Sequence, residues 1–367
     1  MIVKKKLCII LPTHYAAFMG GAQYQAKCIL EGLLPTGKYE IYYLARRVNA
    51  EFIADGYEIL KISDTGGIKQ LGFFMDSFRL YNMLKSIKPD VIYQRIACSY
   101  TGITAYYAKN HNCKMIWHVA HVNDVTPGKH TISQNPVSEY IDKKYVEYGI
   151  RNASYIVTQT EEQNELLQKH YKRSADKVIP NLHPSPKETI EKHDPVTIIW
   201  IANLKPWKQP ESFIHLARDL ENEVNARFIM IGALQGGDQS WKTSLLSQIE
   251  QLSNLEYIGQ IQQEEINEIL AQSHLFVNTS LHEGFANTFI QAWMREVPVI
   301  SLHVNPDNLF NRFEIGYHSK TYEKMLAQVK DLIKDNEKRK QLGRNAKNYA
   351  LKYHSLENIK MLIQLMD

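Results

Sequence analysis

The amino-acid sequence predicts an α/β protein with two doubly wound domains, each a parallel sheet covered by helices. Short apolar runs alternate with segments in which apolar residues recur at helical spacing, which is typical of such sheets. This rhythm stops in residues 178–195, which contain four prolines and many polar residues, and then starts again. At 367 residues the chain is long enough for two domains of ordinary size joined by a linker of that composition.

The first half begins with an apolar run at residues 7–11, which predicts the first strand. Further strands are predicted at 40–44, 90–94, 115–119 and 153–158, and helices at 23–33, 72–87 and 101–109. The first run follows three lysines, as in a signal peptide, but it is too short for the apolar part of one and no small-residue cleavage site follows it. A core strand is therefore the better interpretation.

The second half repeats the alternation after the linker. Strands are predicted at 196–201, 227–231, 255–258 and 274–278, and helices at 210–220, 240–252 and 264–271. Three more helices are predicted near the end of the chain, at 322–335, 337–353 and 356–366. The predicted organisation is a first domain over 1–177, a linker over 178–195, a second domain over 196–353 and a last helix within 354–367.

Composition excludes several classes of protein. A hydrophobic content of 44% and a charged content of 22% indicate a folded chain, and no run of 18 apolar residues predicts a transmembrane helix. The net charge of +4 does not indicate a nucleic-acid binder. Local basic clusters such as Lys143 and Lys144 leave two interpretations open, a solvated surface or weak attraction to anionic lipid. Four cysteines without metal-ligand spacing predict reduced thiols and a cytoplasmic protein.

The most informative segment is residues 280–300. It follows the predicted strand 274–278, passes through a polar turn with Glu283 and Gly284, and continues with apolar residues at helical spacing. The N-terminus of a helix after a buried strand favours phosphate, and Glu283 could accept hydrogen bonds from sugar hydroxyls. Gln291 follows eight residues later, so two helical turns are expected to bring both side chains to one ligand.

Two other turns carry groups that suit phosphate. Gly20 and Gly21 follow the first strand and precede the first helix, where glycines let the backbone approach a ligand closely. Residues 201–209 open the second domain and contain Asn203, Lys205 and Lys208, which can donate hydrogen bonds or positive charge.

Residues 280–300 resemble the signature of the retaining GT-B glycosyltransferases of family 4, E-G-F-x-x-x-x-x-E followed by A-x-x-x-x-x-P-V-I/V. The segment around Lys208 resembles that family's G-R-L-x-x-x-K-G, and the glycine pair resembles its G-G-x-E/Q loop. Two departures are Gln291 in place of the second acid and Asn203 in place of the arginine, for which Lys205 is a candidate substitute as a charge. The resemblance implies two Rossmann-like domains that face each other across a cleft, with the last helix crossing back to the first domain.

The resemblance also implies the site residues. The donor would contact a set drawn from all these segments and from the loop 257–261: Gly20, Gly21, Asn203, Lys208, Gly259, Ile261, Glu283, Gly284, Phe285, Ala286, Asn287, Thr288 and Gln291. Catalytic roles are expected for His118, Lys208 and Glu283. Acceptor-side candidates are Arg95, His121 and Asp124. The residues alone do not decide between His118 and His121 at the reaction centre, and a zinc site at these histidines is a competing interpretation.

We therefore expect a retaining glycosyltransferase that uses a UDP- or GDP-linked sugar, without a metal or other cofactor. A saccharide or polyprenyl-linked acceptor, bacterial surface polysaccharide synthesis and peripheral contact with the inner face of the cell membrane are what the resemblance implies. Two alternatives stay open: a non-catalytic GT-B subunit that stabilises a partner, and a nucleotide-sugar 2-epimerase on the same fold.

Overall fold

The computed structural model describes residues 4–63, 73–128, 136–186, 191–222 and 225–367. They group into two compact units, Met1–Pro184 with Leu356–Asp367, and Ser185–Ser355. The division between the units falls inside the predicted linker. The segment Leu356–Asp367, for which a return to the first domain is predicted, is grouped with the first unit.

The first unit contains a seven-stranded parallel sheet with the order β3-β2-β1-β4-β5-β6-β7. Its strands are β1 (Lys5–Ile10), β2 (Tyr39–Ala45), β3 (Glu58–Lys61), β4 (Val91–Arg95), β5 (Lys114–His118), β6 (Tyr155–Thr158) and β7 (Lys177–Val178). Its helices are α1 (Gly21–Leu33), α2 (Ser77–Ile87), α3 (Ser99–Asn110), α4 (Pro136–Asn152) and α5 (Glu161–Tyr171). The chain also contributes a helix from its last residues, Ile359–Met366.

The second unit contains a six-stranded parallel sheet with the order β10-β9-β8-β11-β12-β13. Its strands are β8 (Val196–Ile201), β9 (Ala226–Ile231), β10 (Leu255–Gly259), β11 (Leu275–Asn278), β12 (Val299–Ser301) and β13 (Gly316–His318). Its helices are α6 (Pro210–Leu220), α7 (Gln239–Glu250), α8 (Gln263–Gln272), α9 (Asn287–Trp293), α10 (Leu309–Phe313), α11 (Tyr322–Lys334) and α12 (Asn336–His354). The helix Ile359–Met366 of the first unit is α13.

Each sheet has a core on both faces because successive strand residues point to opposite sides. In β1, Cys8 and Ile10 join one apolar cluster, whereas Leu7 and Ile9 join the other, which α1 also lines. The central strand of the second unit, β8, divides its apolar side chains between two clusters in the same way. Strands buried on both faces explain why they read as continuous apolar runs in the sequence.

In both sheets the first strand, β1 or β8, lies inside the sheet. The next two strands of the sequence are added on one side of it, and the later strands are added on its other side. The crossing points lie between β1 and β4 in the first unit and between β8 and β11 in the second. In doubly wound sheets, loops diverge to opposite faces at such a point and leave a crevice at the carboxyl ends of the strands. These two crevices are where a ligand of either unit is expected.

Some predicted elements differ from the structure. The predicted helix 72–87 starts with Gly72, which lies outside the described residues; Phe73–Asp76 form a 3-10 turn, and α2 begins at Ser77. The sequence indicated no helix over 136–152, because the buried face of α4 includes Ser138, Asp142 and Gly149 and therefore lacks an apolar period.

Candidate functional site

The crevice of the second unit lies where the loops after β8 and β11 meet. Lys208, from the first loop, donates a hydrogen bond through Nζ to Oε1 of Glu283, from the second. These side chains are only 14% and 13% exposed. Two residues that are 75 positions apart in the sequence thus form an ion pair at the crossing point of the sheet.

The loop after β8 is shaped by two prolines. Pro206 begins a single 3-10 turn that ends at Lys208, and Pro210 occupies the first position of α6. Between them, Gln209 has the left-handed backbone angles φ 49 and ψ 54, which cost free energy for a residue with a side chain. Its side-chain oxygen is hydrogen-bonded to Nε2 of His303 at 3.0 Å.

An aromatic pair lies beside the ion pair. The Trp207 and His282 rings are stacked with centroids 5.0 Å apart, and Nζ of Lys208 lies 4.1 Å from the Trp207 centroid. The ring face adds a favourable electrostatic contact to the ammonium group. Lys208 is therefore held by a carboxylate and by an aromatic ring at once.

The turn before α9 corrects one prediction. The helix begins only at Asn287, so Glu283 precedes it by four residues, and the two-turn spacing predicted between Glu283 and Gln291 is wrong. Gln291 is 3% exposed, and its backbone oxygen accepts a hydrogen bond from Nη1 of Arg295 at 3.1 Å. A contact of Gln291 with a ribose stays a prediction.

The other predicted residues of this turn form its buried and half-buried wall. Gly284, Phe285 and Ala286 are buried, while Asn287 and Thr288 are half-buried. The ring of Phe285 packs in the core, 5.0 Å from the His354 ring, so only its backbone can serve a ligand. Ala286 is the N-cap of α9 and supplies no side-chain acceptor, and its backbone oxygen accepts the N–H of Phe289 at 3.0 Å.

The remaining donor-side candidates of this unit follow β8 and β10. Asn203 is exposed directly after β8. Gly259 has φ +83 and open space where a side chain would be. Ile261 is partly buried against the apolar cluster that contains Ile201 and Phe289. Gly232, after β9, donates its N–H to the Gly259 oxygen at 2.8 Å. Because all these strands are parallel, their following loops lie along the same edge of the sheet.

In the first unit, Gly20 is the N-cap of α1 and Gly21 its first residue. An added Cβ at Gly20 would lie 2.7 Å from the Gln23 side-chain oxygen and 3.1 Å from the Phe18 ring, so those side chains would have to shift. The two preceding residues, Phe18 and Met19, are 52% and 40% exposed. The glycine pair belongs to the connection between the carboxyl end of β1 and the start of α1, and it lies next to exposed apolar side chains.

Two of the first-unit candidates are buried in a polar network. Arg95 and His118 are 1% and 2% exposed. Nη1 of Arg95 lies 3.1 Å from Nδ1 of His118 and from the Tyr93 hydroxyl, and Nη2 donates to the Asn181 oxygen at 2.7 Å. Burial and the adjacent guanidinium lower the pKa of His118 well below its ordinary value. His118 is thus neutral, and Arg95 is held inside the unit instead of being presented to solvent.

His121 and Asp124 form the turn after β5. The Asp124 carboxylate accepts the N–H groups of Ala120 and His121 at 2.7 and 3.1 Å, and Nδ1 of His121 accepts that of Asn123 at 3.1 Å. Burial raises the pKa of Asp124. Both side chains therefore hold the turn that follows His118. Across the described part of the chain, no group of three histidine, cysteine or acidic residues is placed to hold a metal ion.

Sequence reasoning did not identify Trp200, Gly232, Thr279 or His303, all of which contact the loops of the site. A tryptophan in a strand reads as core, and a threonine before a turn reads as a turn residue. Their contacts come from neighbouring strands that are far apart in the sequence, so no local pattern could have indicated them.

Comparison with solved structures defines the class of fold. The chain aligns with HepE of Anabaena in complex with UDP and glucose, with a TM-score of 0.70, 16% identity and coverage of 98% of both chains. It aligns with WaaG, a glycosyltransferase involved in lipopolysaccharide biosynthesis, with a TM-score of 0.72, 14% identity and coverage of 98% of this chain and 99% of the other. The chain has the GT-B fold, as the resemblance implied.

The sequence of the second unit matches a known family of proteins. Residues 184–349 match the family described as Glycosyl transferases group 1. An uncharacterized glycosyltransferase of Methanocaldococcus jannaschii is 27% identical over 192 residues, which cover 46% of each protein. One subunit of human phosphatidylinositol N-acetylglucosaminyltransferase is 24% identical over 211 residues, 53% of this chain and 43% of that protein. The matches thus span less than half the length of these relatives.

Proposed function

We propose that the protein is a glycosyltransferase that moves a sugar from a nucleotide-sugar donor to an acceptor with retention at the anomeric carbon. The observation that carries this proposal is the ion pair of Lys208 and Glu283 at the crossing point of a group 1 domain. Crevices at this position of doubly wound sheets bind nucleotides. A cation and a carboxylate side by side match the two chemical parts of such a donor, a diphosphate and a polyhydroxylated sugar.

The pair suggests how the donor would enter. The diphosphate would replace Glu283 as the partner of Lys208, and the released carboxylate would accept hydrogen bonds from sugar hydroxyls. When the bond between the sugar and the diphosphate breaks, negative charge grows on the leaving oxygen. Lys208 would stabilise that charge. The positive charge needed by the leaving group would thus come from this chain, and no metal ion is proposed.

His118 is proposed near the reacting bond, as a neutral hydrogen-bonding group. Its position at the end of β5 and its lowered pKa support a neutral role. It is buried among Tyr93 and Arg95, so this role requires Nε2 to become accessible to the donor. Gln291 and Asn203, both neutral, would contribute hydrogen bonds where the family has charged side chains.

Isothermal titration with UDP, GDP and their sugars, in a buffer with EDTA, tests the proposal. We expect one of the two nucleotide series to bind to the wild-type protein and to bind far more weakly to the Lys208→Ala variant. Absence of binding to every member of both series would contradict the proposal and favour the non-catalytic GT-B alternative. Epimerisation of a donor sugar at C2 in the absence of any acceptor would instead identify the 2-epimerase.

We further propose a lipid-linked acceptor of bacterial surface polysaccharide synthesis, reached at the inner face of the cell membrane. WaaG and the human transferase support this setting through the lipopolysaccharide and the phosphatidylinositol in their descriptions. None of the helices in the described ranges is long and apolar enough to span a membrane. Contact with a membrane would therefore have to involve a surface of the folded units.

The outer face of α2, α3 and α4 is the best candidate for that contact. Phe78, Tyr106 and Tyr140 are 77%, 51% and 62% exposed there. A cleft of about 610 Å³ between the helices is lined largely by aromatic rings, including Tyr81 and Tyr148. The three helices carry six basic and three acidic residues, and one of the acidic residues is buried. Aromatic side chains among excess positive charge are typical of anionic membrane surfaces.

Sedimentation with vesicles tests this surface. Wild-type protein is expected to sediment with vesicles that contain phosphatidylglycerol and much less with pure phosphatidylcholine. The double substitution Phe78→Asp with Tyr140→Asp should remove most of the sedimented fraction, because it places two charges in the apolar region. Leu351→Asp, at a 39% exposed residue of the second unit, is the matched control. An equal loss in the control, or no sedimentation of the wild type, would refute the proposed contact.

A further inference from the structure

Thr279 connects the two loops that carry the ion pair. It follows β11 and is completely buried. Nε1 of Trp200, in β8, donates to its hydroxyl oxygen at 2.9 Å, and the hydroxyl donates to the Lys208 carbonyl at 2.7 Å. The Lys208 carbonyl can only accept, so the single hydrogen of the Thr279 hydroxyl is donated to it, while the hydroxyl oxygen accepts from the tryptophan.

This hydrogen bond holds a part of the backbone that lies next to an unfavourable conformation. The loop after β8 contains the left-handed Gln209 directly after Lys208, a conformation that a non-glycine residue keeps only when its surroundings impose it. The N–H of Leu281 donates to the Trp207 carbonyl at 3.0 Å. Two successive carbonyls of the Lys208 turn are therefore fixed by the loop after β11, and Thr279 holds the one that belongs to Lys208 itself.

We propose that Thr279 is a positioning residue, which places the Lys208 backbone so that the ammonium group lies where the diphosphate of the donor binds. This inference rests on the proposed function of the site. Lysine has a long and flexible side chain, so the position of its backbone limits the volume that the ammonium group samples. The hydroxyl of Thr279 would act on the donor only through Lys208, since it is buried and both of its hydrogen bonds are to protein groups.

The side-chain contacts of Lys208 cannot replace this role once a donor is bound. Glu283 would exchange its hydrogen bond with Lys208 for sugar hydroxyls, and Trp207 belongs to the same turn as Lys208. The hydrogen bond from Thr279 comes instead from the end of the neighbouring strand β11, and it does not involve a ligand. A fixed backbone lowers the loss of conformational freedom when the diphosphate is bound.

The substitution Thr279→Val tests the proposal, because valine keeps the shape and removes both hydrogen bonds. We expect the Kd for UDP or GDP, whichever binds the wild type, to rise about tenfold, a change of about 1.4 kcal/mol. Thr279→Ser keeps the hydroxyl and should restore the affinity to within about twofold. The matched control is Thr104→Val in the first unit, where a buried threonine hydroxyl donates to the Tyr100 carbonyl at the same distance of 2.7 Å.

Hydrogen exchange of the peptide that covers 203–212 gives a second measurement that needs no nucleotide. Thr279→Val should accelerate exchange in this peptide, while Thr104→Val should not. Wild-type affinity in Thr279→Val, an equal loss in the control, or unchanged exchange in 203–212 would overturn the positioning role. If the wild type binds neither UDP nor GDP, the proposed function fails, and the exchange measurement alone still decides whether Thr279 positions the Lys208 turn.

Discussion

Replacement of Lys208 by alanine is expected to lower the rate of sugar transfer about 10²- to 10³-fold while the protein stays folded. The ammonium group is the cation that forms the ion pair at the crossing point of the second sheet. In the proposed reaction it opposes the charge of the departing diphosphate, and that charge is largest in the transition state. Its loss should therefore lower kcat and weaken donor binding. Transfer assays with the donor found by titration would measure the loss of activity. Circular dichroism would show whether the protein stays folded.

The matched control is Lys340→Ala, which removes an ion pair on the exposed surface of α12, 3.9 Å from Glu337. Exposed pairs of this kind contribute little, so activity and stability should stay near those of the wild type. Glu283→Ala should also abolish transfer, because it removes the acceptor proposed for sugar hydroxyls. Transfer at the wild-type rate by both site variants would contradict the assignment of Lys208 and Glu283.

The second large effect is expected from Gly232→Ala. Gly232 has φ +146, which residues with side chains rarely adopt, and an added Cβ would lie 1.8 Å from the backbone oxygen of Ala202. Ala202 begins the loop after β8, and the nearest atoms that the Cβ would meet belong to its backbone, not to a movable side chain. The backbone of that loop would have to shift, so we expect a loss of about 4 kcal/mol of stability, a fall in Tm of about 10 °C and a loss of nucleotide binding.

Gly37→Ala separates the cost of the positive φ from the cost of the clash between the added Cβ and the backbone. Gly37 also has a positive φ, +62, but an added Cβ would meet nothing within 4 Å. Its cost should be only that of the left-handed backbone, about 1 kcal/mol. Calorimetry of both variants, followed by titration with the nucleotide, would compare them. A Gly232→Ala protein with wild-type Tm and affinity would show that the loop after β8 adapts easily.

The fold was predictable where sequence signals are local and mutually consistent. The strand Val196–Ile201 and the helix Pro210–Leu220 are confirmed at both ends, because an apolar run and a proline at the first helical position mark them. The predictions failed where burial does not follow apolarity, as on α4, whose core face includes Ser138 and Asp142. Very short strands such as β7, Lys177–Val178, carry no periodicity that a sequence can reveal.

The site was predictable in part. The resemblance singled out Lys208 and Glu283, and the structure brings them together, although their catalytic roles stay predictions. It could not indicate Thr279, whose importance depends on hydrogen bonds with Trp200 in β8 and with Lys208 in the loop after β8. The helical spacing between Glu283 and Gln291 misled because the turn before α9 is longer than the pattern suggested.

The membership of Leu356–Asp367 in the first unit has a consequence for biosynthesis. Ile359 of α13 packs against Gly32 of α1, and Leu362 and Met366 are buried in the cluster that α1 lines. The second unit, Ser185–Ser355, is one continuous stretch, whereas the first is not. A ribosome therefore finishes the second unit before it has supplied the residues that cover α1. Until then, the apolar side of α1 that later receives α13 stays uncovered, and the unit translated first is the last to become complete.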